Sequence, residues 1–162
     1  MIIFLDIDGV LNSVAFARRT TFTGWPDGHI DPEAVKHLNH LIAETGAKVV
    51  ISSTWRKMLN HEELAGVLAR HGFVGEVIGE TPDFYKLESW ERPVPAARYG
   101  RFERGDEIQA WLDEHGQDVE TFVIFDDDAD MRHLNNWLVQ TSHETGLQAE
   151  HVERALTLLK DG

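Results

Sequence analysis

The 162-residue chain contains no cysteine. That excludes a disulfide scaffold, a thiolate-ligated zinc site and a cysteine nucleophile. Positive charge is scarce: 15 Lys and Arg stand against 28 Asp and Glu, for a formal net charge of -13. No broad nucleic-acid-binding or membrane-surface face is expected, because both partners are anionic. Apolar runs are short, and none approaches the roughly 20 residues of a membrane span. The start, Met1 to Gly9, places an acid at its sixth position and no basic region before the apolar stretch, so it does not read as a secretory signal. The expectation is a soluble, cytoplasmic protein. Its length and its 42% hydrophobic content suit one domain over residues 1–162 with a sizeable core.

What is present is an alternation of two patterns. Ile2–Leu5, Ala47–Ile51 and Thr121–Phe125 are short runs rich in β-branched and aromatic residues, with no polar alternation. Strands buried on both faces of a parallel sheet read this way. Val74–Ile78 and Leu138–Thr141 are weaker strands of the same kind. Between them lie helical patterns. Asp31 and Pro32 supply an N-cap and a first helical residue, Val35, Leu38, Leu41 and Ile42 recur at helical spacing, and Gly46 ends the run. His61–His71, Asp106–His115 and Ala149–Leu159 read as three further helices. The expected fold is α/β, a three-layer Rossmann-like parallel sheet with helices on both faces. Residues 13–30 and 81–104 fit neither pattern and read as long loops, of the kind that line the crevice at the carboxyl ends of the strands.

The chemistry-bearing residues follow the apolar strands. Asp6-Ile7-Asp8-Gly9-Val10-Leu11-Asn12 comes after the first. One carboxylate at the strand end and a second two residues on can divide nucleophile or metal-ligand duty from acid/base duty. A solvated Asp-x-Asp-Gly turn is the bland alternative. Ser52-Ser53-Thr54-Trp55-Arg56 follows the second strand, and its hydroxyls, backbone N–H groups and guanidinium suit a phosphate. Asp126-Asp127-Asp128-Ala129-Asp130 follows the third. Such carboxylates repel one another unless a cation neutralises them, and hard oxygen donors select magnesium or calcium. An EF-hand loop is excluded, since Met131 stands where its glycine is required. Between positions 86 and 104 a basic island carries Lys86, Arg92, Arg98, Arg101 and Arg104 against Glu88, Glu91 and Glu103.

Taken together, these segments resemble the haloacid dehalogenase-like (HAD) superfamily in its phosphatase branch. More narrowly, Phe4 to Asn12, Ile51 to Arg56, the acidic run, Gln140-Thr141 and Gly146-Leu147 resemble the small domains of that superfamily associated with RNA-repair proteins. The resemblance implies a magnesium-dependent phosphomonoester hydrolase. Asp6 would be the nucleophile that forms an aspartyl-phosphate, and Asp8 the acid and then the base. Ser52 would bind a phosphoryl oxygen, with Ser53, Thr54, Arg56 and Arg101 as further substrate-binding residues. Mg2+ would be held by the Asp6 carboxylate, the Asp8 main-chain carbonyl and the pair Asp126 and Asp127, with Asp127 the first choice. The lysine usual in the third family motif is absent. Arg104 is the choice for its role, ahead of Arg101 and Lys86. Short insertions leave room for a flap and a loop but no large cap, so a bulky substrate, a nucleotide or a nucleic-acid terminal phosphate, is expected. Trp25, Trp55, Tyr85, Trp90 and Tyr99 are available to stack on a base, although core packing is the favoured role for Trp55 and Trp90. A sugar or metabolite phosphatase and a non-catalytic phosphate-binding module are the alternatives.

Overall fold

The structure, a computed structural model, describes residues 1–21, 23–86 and 102–161. Five strands, β1 (Ile2–Leu5), β2 (Lys48–Ile51), β3 (Val77–Glu80), β4 (Phe122–Asp126) and β5 (Leu138–Gln140), form one parallel sheet in the order β3-β2-β1-β4-β5. Among the described residues five α-helices accompany them: α1 (Val14–Arg19), α2 (Pro32–Thr45), α3 (His61–Arg70), α4 (Arg104–His115) and α5 (Ala149–Asp161).

Period-two alternation of the strand side chains builds two cores from the same strands. Ile3, Leu5, Val49, Ile51, Val123, Phe125 and Val139 face one layer, packed with Leu38 and Leu41 of α2, Leu64 and Leu68 of α3, and Val152 and Leu156 of α5. Ile2, Phe4, Val50, Ile124 and Leu138 face the other, packed with Ile108 and Trp111 of α4 and with Met131 and Leu134. The fold is therefore the three-layer Rossmann-like arrangement. No helix among the described residues is long and apolar enough to cross a membrane.

Several boundaries differ from the sequence reading. Residues 13–30 are not wholly loop: α1 forms because Ser13 Oγ accepts the Phe16 N–H at 3.1 Å and Phe16 is buried. A 3-10 turn follows at Asp27–His29. β3 lies three residues later than the expected Val74 start, and Val74 is 75% exposed. Phe73, not Val74, makes the buried contact there. α4 begins at Arg104 rather than Asp106, because the Asp106 carboxylate accepts the Glu103 N–H at 3.0 Å and caps the helix earlier. Arg92, Arg98, Arg101, Trp90 and Tyr99 lie outside the described residues.

The strand order reverses at β1, which has β2 on one side and β4 on the other. Crevices at such a switch point are where open α/β sheets hold ligands. The register pairs Leu5 with Phe125, so the next residues, Asp6 and Asp126, emerge side by side at the carboxyl edge. The Asp6 N–H still donates to the Phe125 carbonyl at 3.0 Å. On the other side the Ser52 N–H donates to the Leu5 carbonyl at 2.8 Å, which seats Ser52 at the same edge.

Candidate active site

Asp6 is buried, and its Oδ1 accepts the Ile7 N–H at 2.7 Å. Oxygens of Asp6, Asp126 and Asp127 lie within 4.8 Å of one another. Asp126 sits at the end of β4 and is also buried. Its Oδ1 accepts the Asp128 N–H at 2.9 Å. Burial pushes the Asp6 carboxyl up to about 6, against the opposing pull of Arg104. Burial first and the Asp6 charge second push Asp126 up to about 8. Asp127 is also raised, by desolvation and then by Asp128. Three hard-oxygen donors held this close, with one guanidinium set against them, are a set that fits magnesium. Both members of the expected pair are in it.

The Asp8 carboxylate is not part of that cluster. It is held from two sides, Oδ2 by the Trp55 Nε1–H at 3.0 Å and Oδ1 by the Asn12 amide at 2.8 Å. Asn12 in turn accepts the Gly9 N–H through Oδ1 at 2.9 Å, so one side chain fixes both the turn and the acid. Gly9 has φ 72°, and a Cβ there would collide with the Asp127 carboxylate. The glycine therefore serves the turn and the close approach of two motifs at once. Thr141 locks the same loop: its N–H donates to the Asp126 carbonyl at 2.9 Å and its Oγ1 to the Gly9 carbonyl at 2.7 Å. Gly9→Ala is expected to lower stability by about 1–3 kcal/mol and to weaken magnesium binding. Thermal unfolding and magnesium titration calorimetry measure the two effects, and an unchanged magnesium affinity would refute the second.

Ser52 is 1% exposed, and its Oγ has no hydrogen-bond partner among the described residues. An orphaned buried hydroxyl at a strand end is what a phosphoryl oxygen would satisfy. Ser53 caps the following 3-10 turn, accepting the Trp55 N–H at 3.3 Å, and its hydroxyl hydrogen bond to Asp6 opposes the upward shift of that acid. Thr54 is exposed at the start of the turn.

Of the basic residues, Arg104 reaches the acids: its Nε is 3.6 Å from Asp126 Oδ2. α4 is brought to that point by the Gly105 N–H, which donates to the Asp130 carbonyl at 3.2 Å. Any Cβ on Gly105 would strike the Met131 carbonyl, so the helix start and the acidic loop touch through backbone. Lys86 turns elsewhere, donating to the carbonyls of Arg56 and Lys57 at 3.4 and 3.5 Å. Arg56 differs from expectation. Rather than offering its fork to a substrate, it is 4% exposed and engaged by Glu107, the Ser53 carbonyl and the Pro82 carbonyl.

A cavity of about 340 Å³ opens beside Asp8. It is lined by Gly9, Asn12, Asp127 and His143 from the motif loops and by Phe16, Ala17, Thr20 and His29 from the α1 segment and the 3-10 turn after it. Trp55 packs against Trp25, tilted, at 5.4 Å between ring centroids and meets His29 edge-on at 6.2 Å. Trp55 thus packs in the core, as expected, and also holds the acid. That second role is invisible in sequence, because its partner is 47 positions away. Asn12 and Thr141 had a signal, their place inside the quoted motifs, but no assigned task. Glu107 had none beyond a charge on a helix.

No curated protein and no solved structure matches the chain. One family does, the HAD domain in Swiss Army Knife RNA repair proteins, over residues 2–152. That match spans every element from β1 to the first turn of α5, all three acidic and hydroxyl motifs included. The chain belongs to this family of HAD domains.

Proposed function

We propose that the protein is a magnesium-dependent phosphomonoester hydrolase that works through an aspartyl-phosphate, acting on a nucleotide or on the terminal phosphate of a nucleic acid. The observation that carries this reading is the meeting of Asp6, Asp126 and Asp127 at one crevice, with Asp8 beside them and Arg104 against Asp126. Asp6, Asp126 and Asp127, with the Asp8 main-chain carbonyl, would hold the magnesium. Bound there, the ion supplies positive charge against the carboxylates and the phosphoryl oxygens.

The chain's own groups account for the rest. The Asp6 carboxylate attacks phosphorus in line while the ester P–O bond breaks. The Asp8 carboxyl gives its proton to the leaving oxygen. A water then attacks the phosphorus, Asp8 takes its proton, and inorganic phosphate departs from Asp6. The Trp55 and Asn12 hydrogen bonds keep Asp8 on the cavity side of Asp6, where a leaving group has space. The Ser52 hydroxyl, the backbone N–H groups after β2 and Arg104 oppose the charge that develops on the phosphoryl oxygens.

The cavity beside Asp8 supports the substrate class. Its volume suits one nucleoside, and two of its lining residues, Phe16 and His29, offer ring faces or edges to a base. The test compares phosphate release from nucleoside monophosphates, 5′- and 3′-phosphorylated oligonucleotides and sugar phosphates, all with magnesium. The nucleotide members are expected to give kcat/KM at least about tenfold above the sugar phosphates, the discrimination that ~1.4 kcal/mol of stacking supplies. Preference for sugar phosphates would replace the substrate class. Phosphate binding without turnover on any of them would favour a non-catalytic module.

A further inference from the structure

Glu107 lies in the first turn of α4 and is 5% exposed. Three separate parts of the crevice wall converge on its carboxylate. Oε2 accepts from Arg56 Nη2 at 2.5 Å, and Arg104 Nη1 approaches the same oxygen at 3.4 Å. Oε1 accepts the Phe84 N–H at 3.3 Å. Arg56 extends the connection, donating from Nη1 to the Ser53 carbonyl at 2.5 Å and from Nη2 to the Pro82 carbonyl at 3.3 Å. One carboxylate therefore joins the turn after β2, the segment after β3 and the start of α4.

A buried ion pair is poorly explained by stability. Desolvating two charges offsets most of their attraction, and apolar residues of similar volume commonly serve as well. What an apolar pair cannot do is hold a third charge. Arg104 stands between Glu107, which meets Nη1, and Asp126, which meets Nε at 3.6 Å. Without Glu107, the attraction of Asp126 and Asp6 acts on Arg104 unopposed. The guanidinium would then collapse onto the carboxylates that must stay open to cation and phosphorus.

We infer that Glu107, braced by Arg56, is a positioning residue that holds the Arg104 guanidinium off the Asp6–Asp126 pair and at the phosphoryl site. Two nitrogens of the fork are held by carboxylates, and Nη2 is the donor we assign to a phosphoryl oxygen. This rests on the phosphatase reading for its catalytic consequence, but its binding consequence stands apart from turnover.

The test is the double variant R56M/E107M, which replaces the pair by apolar side chains, alongside E107Q, which keeps the shape and removes the charge. Each is combined with R104A. Affinity for inorganic phosphate in the presence of magnesium is measured by calorimetry, kcat and KM are measured on the best substrate, and thermal unfolding is followed in parallel. Expected is a folded double variant with phosphate affinity and kcat/KM lowered about 10–100-fold, the scale of a misplaced site group. Adding R104A to it should change little further, whereas R104A alone should cause most of the same loss. If R56M/E107M does not fold, E107Q carries the same expectation. Wild-type affinity and kcat/KM in the folded variant would overturn the inference, as would a full additional loss on adding R104A. Should the wild type bind phosphate without turning anything over, the phosphatase reading fails, and the binding cycle still decides the role of Glu107.

Discussion

Asp6→Asn is expected to lower kcat by about 10³-fold or more while leaving the protein folded. An amide is close in size to the carboxylate, and it can accept the Ile7 N–H as Oδ1 does now. It is not a nucleophile toward phosphorus, and it withdraws one of three charges from the acidic cluster. The loss should therefore fall on every substrate alike, whatever its leaving group. Asp8→Asn should behave differently. Its task is a proton, worth about 10²–10⁴-fold for a poor leaving group. An aryl phosphate whose leaving oxygen needs no proton should lose far less in the first step. Measuring both variants on an aryl ester and on a nucleoside monophosphate separates the roles. Equal losses for Asp8→Asn on both would remove it as the acid, and substantial turnover by Asp6→Asn would remove Asp6 as the nucleophile.

The placement of Asp6 at the crevice is legible in sequence because it depends on position along a strand. An apolar run with no alternation announces a strand covered on both faces, and the residue that follows must emerge at its carboxyl edge. Asp6, Ser52 and Asp126 all obey this, and parallel pairing of β1 with β2 and β4 then forces them together. Pairing order is less legible, since nothing in Ile2–Leu5 says which run lies beside it. The β3 start departs from the apolar pattern because Val74 is apolar and yet exposed, and the buried contact belongs to Phe73. α1 is not legible in the sequence, since six residues carry little periodic signal and the helix depends on a cap and one buried ring.

Side-chain partnerships across long separations were the least legible. Arg56 looks like a phosphate ligand from its neighbours Ser52 and Ser53. Its actual partner is 51 positions away, on a helix whose apolar face gave no hint of a buried acid. The same blindness hid the bond from Trp55 to Asp8. Propensity and pattern report burial and periodicity, whereas the partner of a buried charge is decided by how the layers stack. The chain's acid excess shows the same limit. Composition counts Asp6, Asp126 and Asp127 with the solvated carboxylates, but the fold gathers them where water does not compensate their charge.

That gathering makes the acidic cluster a source of instability, and Asp126→Asn should expose it. Without a cation, burial pushes the Asp6 carboxyl up to about 6 and, with the Asp6 charge added, Asp126 up to about 8, both above the ordinary value of 3.8. The folded chain therefore retains protons that the unfolded chain releases from about pH 4 upward. Stability then falls as pH rises, because the native state binds more protons across that window. The contribution is whole below the unfolded value and is gone once pH has passed the folded ones. Asparagine at 126 keeps the shape and removes both the buried charge and its repulsion of Asp6. With a chelator present, the variant should be more stable than the wild type at pH 8 by several degrees, on a scale where ~1 kcal/mol moves the midpoint by about 2–4 °C. At pH 3.5, below the unfolded value, Asp126 carries its proton in both states, and the two should unfold within a degree or two of each other. Magnesium should reverse the order at pH 8: it should raise the wild-type midpoint and leave the variant nearly unmoved. Activity should drop by about 10²–10³-fold in the same protein that chelator makes the more stable. A wild-type midpoint that holds level or climbs from pH 5 to 8 in chelator would sink the argument. Equal stabilisation of both proteins by magnesium would show that Asp126 does not hold the ion.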